Sequence, residues 1–394
     1  MPELARDDVA QARLVAQRLV GLMAPTPAEA VQWLTAMQAQ DYSGALTSVG
    51  LLTRARLRAE VVAALDTGDI VRSWPMRSTL HLTAAQDLSW MLHLLTPRVI
   101  RGSAARRRGL GLDEPQLEPA RKLSIDALSG GRQLRRADLL ASWDKAGLDP
   151  DGQRGVHVLR YLAMTGTLVF GPTAAGEQLI VLLDEWVPQP RDLDRDQALC
   201  ALAVRYFRSH GPATAVDLAT WGGLTAGDTR TAITLARPSL ASLNIAGTEH
   251  LLDPQTPERL AAAREHAEGV LLLPGFDDFL LGYRDRSAQL DPAWADRIVP
   301  GGNGIFRPTV VSAGRVVGTW TRTGRGARHE IAATPFTNFP PRVESAIAER
   351  YAAPCPERAG GRPASRRPVG RPAGRGARPR SCVTDDRSAV RGWD

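Results

Sequence analysis

The chain has 394 residues, 43% of them apolar, enough for two or three packed units, and no apolar run approaches the ~18 residues that span a bilayer. "MPELARDDVA" lacks the basic-then-apolar order of a secretory leader, and three cysteines, an odd number at no metal-ligand spacing, support neither a disulfide framework nor a zinc site, so a cytoplasmic protein is expected. The net charge of +7 is not a property of the body, because residues 355–394 hold ten arginines against four carboxylates.

In chain order, "TPAEAVQWLTAMQ" starts an amphipathic helix: Thr26 caps, Pro27 takes the first position and Glu29 closes the box. Val31, Leu34 and Gln38 continue the spacing i, i+3, i+7, which carries the predicted helix to Gln38 at the edge of its apolar face. Gln40, two residues on, would lie about 200° round, on the far side. Asp41, Ser43 and Gly44 in "DYSG" favour a turn, and an extended i, i+2 pair shares a face, so one site for both glutamines requires the helix to loosen there. A plain polar fringe at a helix end is the alternative reading of the same spacing.

"RSWPMRSTLHL" (72–82) breaks at Pro75 and then alternates as a strand, with His81 facing the same way as Thr79. A lone histidine without a carboxylate at catalytic spacing reads as a hydrogen-bonded core or edge residue. Arg77 and Ser78 suit either a phosphate contact or a solvated loop. The order of helix, turn, helix and two short strands over 26–82 recurs over 134–184 and again in "GPATAVDLATWGGLTAGDTRTAITLARPSLASLNIAGTEHLLD" (211–253). There a helix stops at Gly222-Gly223, Thr225 caps the next with Asp228 three residues on, and two strands flank "AGT".

Residues 270–335 read as strands with glycine turns, and Ala313-Gly314 marks a hairpin. Asp277 and Asp278, adjacent and so on opposite faces of such a strand, precede Arg284, Asp285 and Arg286, which suggests internal Asp–Arg pairing. Order should end near Tyr351, and the Gly, Pro and Arg-rich tail should be disordered. No phosphate-cradling glycine loop, HExxH, GxSxG or CxxC motif is present, which argues against nucleotide hydrolysis, metalloprotease and serine hydrolase chemistry.

Together, "MQAQDYSGALTSVGLLTRAR", "RSWPMRSTLHLT", "LLLPGFDDFLLGYRDRS" and "GRVVGTWTR" resemble the AlkZ/YcaQ family of bacterial winged-helix DNA glycosylases over about residues 10–350. The resemblance implies an α+β fold of tandem winged-helix units with a β-rich C-terminal part. Its units would be 1–100, 101–190, 191–260 and 261–354, followed by a disordered basic tail, 355–394. It implies a monomeric, nucleoid-associated enzyme that binds double-stranded DNA carrying alkylated guanine and removes N7-alkylated bases without metal or other cofactor. The family signature of Gln, an apolar residue, then Gln or Asp falls on Gln38, Ala39 and Gln40, which makes these two glutamines the catalytic pair and resembles the Gln-type branch associated with self-resistance to an alkylating antibiotic. The broader crosslink opening of the Asp-type branch carries over less directly. The family's DNA-probing hairpin falls on 309–320 with Arg315 at its tip, and Arg77, Ser78, Thr79, His81, Arg284 and Arg286 join Arg315 as DNA-binding candidates. A non-enzymatic winged-helix transcriptional regulator is the rival reading.

Overall fold

The computed structural model describes residues 8–325 and 328–352; the predicted tail, 355–394, lies outside them. After α1 (Val9–Ala16), α2 (Pro27–Leu34) starts where Thr26 accepts a hydrogen bond from the Glu29 backbone at 3.2 Å. It ends a full turn before the predicted point, because Thr35 adopts a left-handed φ of 72°. The chain then runs extended through β1 (Met37–Gln38). "DYSG" is not a turn but the start of α3 (Tyr42–Leu52), with Asp41 at the cap position. α4 (Arg58–Asp66) follows, then β2 (Ile70–Met76) and β3 (Thr79–Ala84), joined through Arg77 and Ser78, whose φ values of 51° and 60° suit a two-residue hairpin turn.

α5 (Leu88–Gly102) and α6 (Ala104–Gly109) lead to the second copy: α7 (Glu114–Leu128), α8 (Arg136–Lys145), α9 (Arg154–Met164), β4 (Leu168–Ala174) and β5 (Glu177–Leu182). The short α10 (Leu183–Trp186) connects to the third: α11 (Arg195–His210), α12 (Ala215–Gly222), α13 (Ala226–Ala236), β6 (Ala241–Ile245) and β7 (Thr248–Leu252). Local chemistry decides the third copy's boundaries. Thr214 and Asp217 box the start of α12, Gly223 ends it in the left-handed region, and Thr225 accepts from the Asp228 backbone at 3.0 Å. α5 does not close the first unit at residue 100, since its Trp90, Met91 and Leu95 pack into the third unit's core.

The hairpins of the first two copies share one sheet, ordered β1-β3-β2-β4-β5, with Arg72 opposite Phe170 where they join. β6 and β7 form a separate pair. After α14 (Thr256–Ala262) and α15 (Arg264–Ala267), β8 (Val270–Leu273) buries Leu271 and Leu273 in the first unit's core. The predicted continuation of that strand is a helical turn instead, α16 (Asp278–Leu281), because the Asp277 carboxylate accepts from the Phe279 backbone at 3.0 Å and caps it.

α17 (Ala295–Ile298), β9 (Thr309–Ser312), β10 (Arg315–Arg325), β11 (Arg328–Pro335) and α18 (Pro341–Ala352) complete the chain. The second sheet runs β11-β10-β9-β8, and Val343 and Ile347 of α18 cover it. The hairpin turn at Ala313-Gly314 is present, but it is buried against α1: a Cβ on Gly314 would meet the Ala10 backbone at 2.9 Å. The fold is mixed α and β. No described helix is long and apolar enough to cross a membrane, and among the described residues no cluster of His, Cys, Asp or Glu could hold a metal.

Candidate active site

β1 lies at the edge of the five-stranded sheet and pairs antiparallel with β3, Gln38 opposite His81. Met37 and Ala39 point into the core while Gln38 is half-buried and Gln40 exposed, so the extended chain achieves what a helix could not. The two side chains are tied to backbone. Oε1 of Gln38 accepts from the Gln40 backbone at 3.3 Å, and Oε1 of Gln40 accepts from the Leu80 backbone at 3.1 Å. Each amide oxygen keeps a second lone pair, and each amide its hydrogens, for a ligand.

Between them, Ala39 donates to the Leu80 carbonyl at 2.7 Å. Its own carbonyl accepts twice from Arg72, from Nε at 3.0 Å and Nη2 at 2.8 Å. The remaining arm of that guanidinium, Nη1, reaches Oε1 of Gln178 at 3.0 Å, and the rings of Tyr42 and Phe170 lie 5.2 and 5.3 Å from its centre. Burial lowers the Arg72 pKa to about 10, so it remains a cation at neutral pH.

Gln40, Ser78, Arg72 and Trp74 of the first unit face Arg136, Arg160, Phe170 and Gln178 of the second across a cleft of about 570 Å³. Gln38 is not among its lining residues; it stands next to the cleft, with its Oε1 accepting from the Gln40 N–H. Arg160 is half-buried and lies near Arg107 of α6, and His157 senses Arg160, Arg106 and Arg107 together. Among the described residues none of Arg106, Arg107, Arg136 and Arg160 forms an ion pair within 4.0 Å. Arg136 and Arg160 make this wall of the cleft net positive despite the Glu177 carboxylate that also lines it, while Arg107 itself is buried and donates to the Ile100 carbonyl.

Behind β1 lies a buried polar layer. His81 donates from Nδ1 to the Thr79 carbonyl (2.9 Å), which leaves Nε2 to accept from Nη2 of Arg77 at 3.3 Å. Burial, then the Arg77 charge, hold this imidazole neutral with its pKa down to about 3. Asp278 sits in the same layer. Burial and then the Asp277 charge push its carboxyl up to about 8 against the opposing pull of Arg77 and the Gln38 backbone N–H, so it keeps its proton at pH 7. Asp277 is raised as well, chiefly by burial, and accepts from the Ser48 hydroxyl at 2.7 Å. The expected Asp–Arg pairing reduces to the proximity of Asp278 and Arg77, with no ion pair to Arg284 or Arg286.

The sequence-derived DNA contacts divide accordingly. Ser78 lies on the cleft, whereas Arg77 and His81 are turned inward behind it because the hairpin turn aims Arg77 at His81. The Thr79 hydroxyl is directed back to the Met76 carbonyl at 3.5 Å. Arg284 is exposed, its backbone N–H fixed by Asp217 at 2.8 Å, and Arg286 donates to the Leu280 carbonyl at 2.6 Å beside the Phe306 ring. Neither lines the cleft. Arg315 donates to the Ala288 carbonyl at 3.1 Å and borders a separate groove of about 730 Å³ between α1 and the β6–β7 hairpin. With its turn packed under α1, the 309–320 hairpin is not a free probe. Sequence reasoning missed Arg72, Gln178, Arg136 and Arg160; of these only Arg72 carried a local signal, its alternation with Trp74 in "RSWP".

The profile of a family described as DNA glycosylase AlkZ-like matches residues 31–353. An "Interstrand DNA cross-link repair glycosylase" of Streptomyces sahachiroi is 27% identical over 326 residues, covering 79% of this chain and 85% of its own. The solved structure of Streptomyces sahachiroi DNA glycosylase AlkZ superposes with a TM-score of 0.73 at 24% identity, over 88% of this chain and 95% of that one. The profile match spans most of the residues that build the shared sheet, the cleft and the buried layer, and the chain belongs to the AlkZ-like family of DNA glycosylases.

Proposed function

We propose that this glycosylase removes N7-alkylated guanine from double-stranded DNA by placing a water with Gln38 and Gln40. The observation that carries the reading is the Gln38-Ala39-Gln40 strand, extended and tied to backbone at the rim of a cationic cleft. N7-alkylation leaves the base positively charged, so it departs with the C1′–N9 bonding pair as a neutral molecule and needs no proton. What remains is to hold a water against C1′ and to stabilise an oxocarbenium-like sugar, which fixed amide dipoles accomplish in a partly dry site. The attacking water releases its proton to solvent, because an amide is too weak a base to retain it. Unmodified guanine, a poorer leaving group, receives too little help.

The repeated order of three helices and a hairpin supports tandem winged-helix units, with DNA lying along Arg136, Arg160 and the exposed Arg106 and Arg108 of α6, and Ser78 contacting phosphate from the opposite rim. The groove-probing hairpin moves from 309–320 to the end of β10–β11, where Thr321–Arg325 pair only with β11, beyond the reach of β9. A relative that is an interstrand DNA cross-link repair glycosylase supports a crosslinked base as a further substrate, in keeping with repair or self-resistance to an alkylating antibiotic by a monomer. The regulator reading is not favoured, since the family is one of glycosylases. The test is incubation with duplex carrying N7-methylguanine, and separately an interstrand crosslink, with free base as the readout. Absence of release from both sinks the proposal.

A further inference from the structure

A regular antiparallel ladder would pair Ala39 and Leu80 twice, each N–H with the other's carbonyl. Only one of these bonds forms, from Ala39 to Leu80. The Ala39 carbonyl is taken by Arg72, and the Leu80 N–H is thereby left for the Gln40 side chain. We infer that Arg72 is a positioning residue for catalysis, acting through the Ala39 carbonyl to keep Leu80 available for Gln40; this rests on the glutamines being the catalytic pair.

The guanidinium fits this role in three respects. Two parallel N–H groups meet one carbonyl, which fixes the peptide plane between the glutamines, and charge-assisted bonds of this kind are roughly twice as strong as neutral ones. The third arm is tethered by Gln178, which stands on the second unit, so the strand's register depends on both walls of the cleft. Among the described residues Arg72 forms no direct ion pair; Asp41 acts on it only through its field, and a mostly buried cation whose hydrogen bonds go to carbonyl and amide oxygens alone is a costly way to stabilise a fold. Without it, Leu80 is free to re-form the ladder bond to Ala39, and the Gln40 amide is released to rotate. A lysine cannot substitute, since one ammonium does not reproduce a planar fork.

The experiment is single-turnover release of N7-methylguanine at saturating enzyme, alongside affinity for undamaged duplex and thermal unfolding. It uses the full chain and Arg72→Lys, Gln178→Leu, Gln40→Ala and the double variant Arg72→Lys/Gln40→Ala. Arg72→Lys is expected to slow release roughly 10- to 100-fold, as a misplacement of about 1 Å does, with duplex affinity within about twofold of wild type. Gln178→Leu should slow it less, and the double variant should be no slower than Gln40→Ala. A wild-type rate for Arg72→Lys beside a slow Gln40→Ala overturns the inference. So does multiplication of the two losses, which would mean that Arg72 acts apart from Gln40. Should Arg72→Lys not fold, Gln178→Leu decides: slowed release upholds the tether, and a wild-type rate removes it. A wild-type rate for Gln40→Ala instead removes the glutamine reading itself.

Discussion

Oε1 of Gln40 lies 3.1 Å from the backbone nitrogen of Leu80, forty residues on, where a neighbouring strand's carbonyl would ordinarily sit. The side chain is thus held in one rotamer by the sheet itself. Gln40→Ala is expected to slow base release by one to a few orders of magnitude, about 1.4 kcal/mol per tenfold, with little change in duplex affinity. Equal losses in affinity and single-turnover rate would assign Gln40 to binding.

Asp278 yields a stability prediction with a definite sign. Its folded pKa, about 8, is above that of an unfolded aspartate, so the folded state holds a proton the unfolded state has lost. Its contribution is complete below the unfolded pKa and declines as pH rises through about 8. The melting-temperature gap between wild type and Asp278→Asn should therefore shift against wild type between pH 6 and pH 9. A gap constant over that range would place the carboxyl in an ordinary environment.

The buried His81 works the other way. Its folded pKa is depressed to about 3, so the unfolded state binds the extra proton and stability is lost as pH falls from the ordinary histidine value toward 3. His81→Gln should lose less melting temperature than wild type between pH 7 and pH 4. An equal loss would place the acid sensitivity elsewhere, for example in the equally buried His210.

Arg136 and Arg160 line the cleft without carboxylate partners, so each should contribute to phosphate binding. Replacing either by alanine is expected to reduce the log–log salt slope of duplex binding by ~0.9. Arg315→Ala, at a side chain already directed to the Ala288 carbonyl, should leave that slope unchanged. The reverse pattern would move the DNA to the groove beside α1.

Deleting 355–394 removes six of the seven net positive charges and few large apolar side chains. The truncated chain should keep its melting temperature and its single-turnover rate while its salt dependence flattens. Loss of folding would show that the tail packs.

What could be read from sequence was what neighbouring residues settle among themselves. The Thr225 cap, the Gly223 stop and the Ala313-Gly314 turn each depend on groups within a few residues. The end of α2 does not, because apolar spacing continues through Met37 while the reversal occurs at a non-glycine φ of 72° on the buried Thr35. "DFLL" carries no period that separates a strand from a helical turn; the Asp277 cap decides it. The glutamine pair was legible as a motif, but Arg72 was not. Its partners, Ala39 and Gln178, stand 33 and 106 residues away, a distance at which spacing carries no information.

Sharing one sheet between the first two units limits how this protein can be divided. A fragment ending near residue 100 would leave β2, buried along most of its length, without β4 and with one line of backbone donors and acceptors open to any passing strand. Such a fragment should self-associate rather than behave as a free-standing module. The arrangement also constrains exchange between relatives, because swapping the second unit alone would replace the strand against which Arg72 is set. The two units carrying the cleft should therefore be exchanged only as a pair, with a chimera joined after Trp186 expected to fold better than one joined between them.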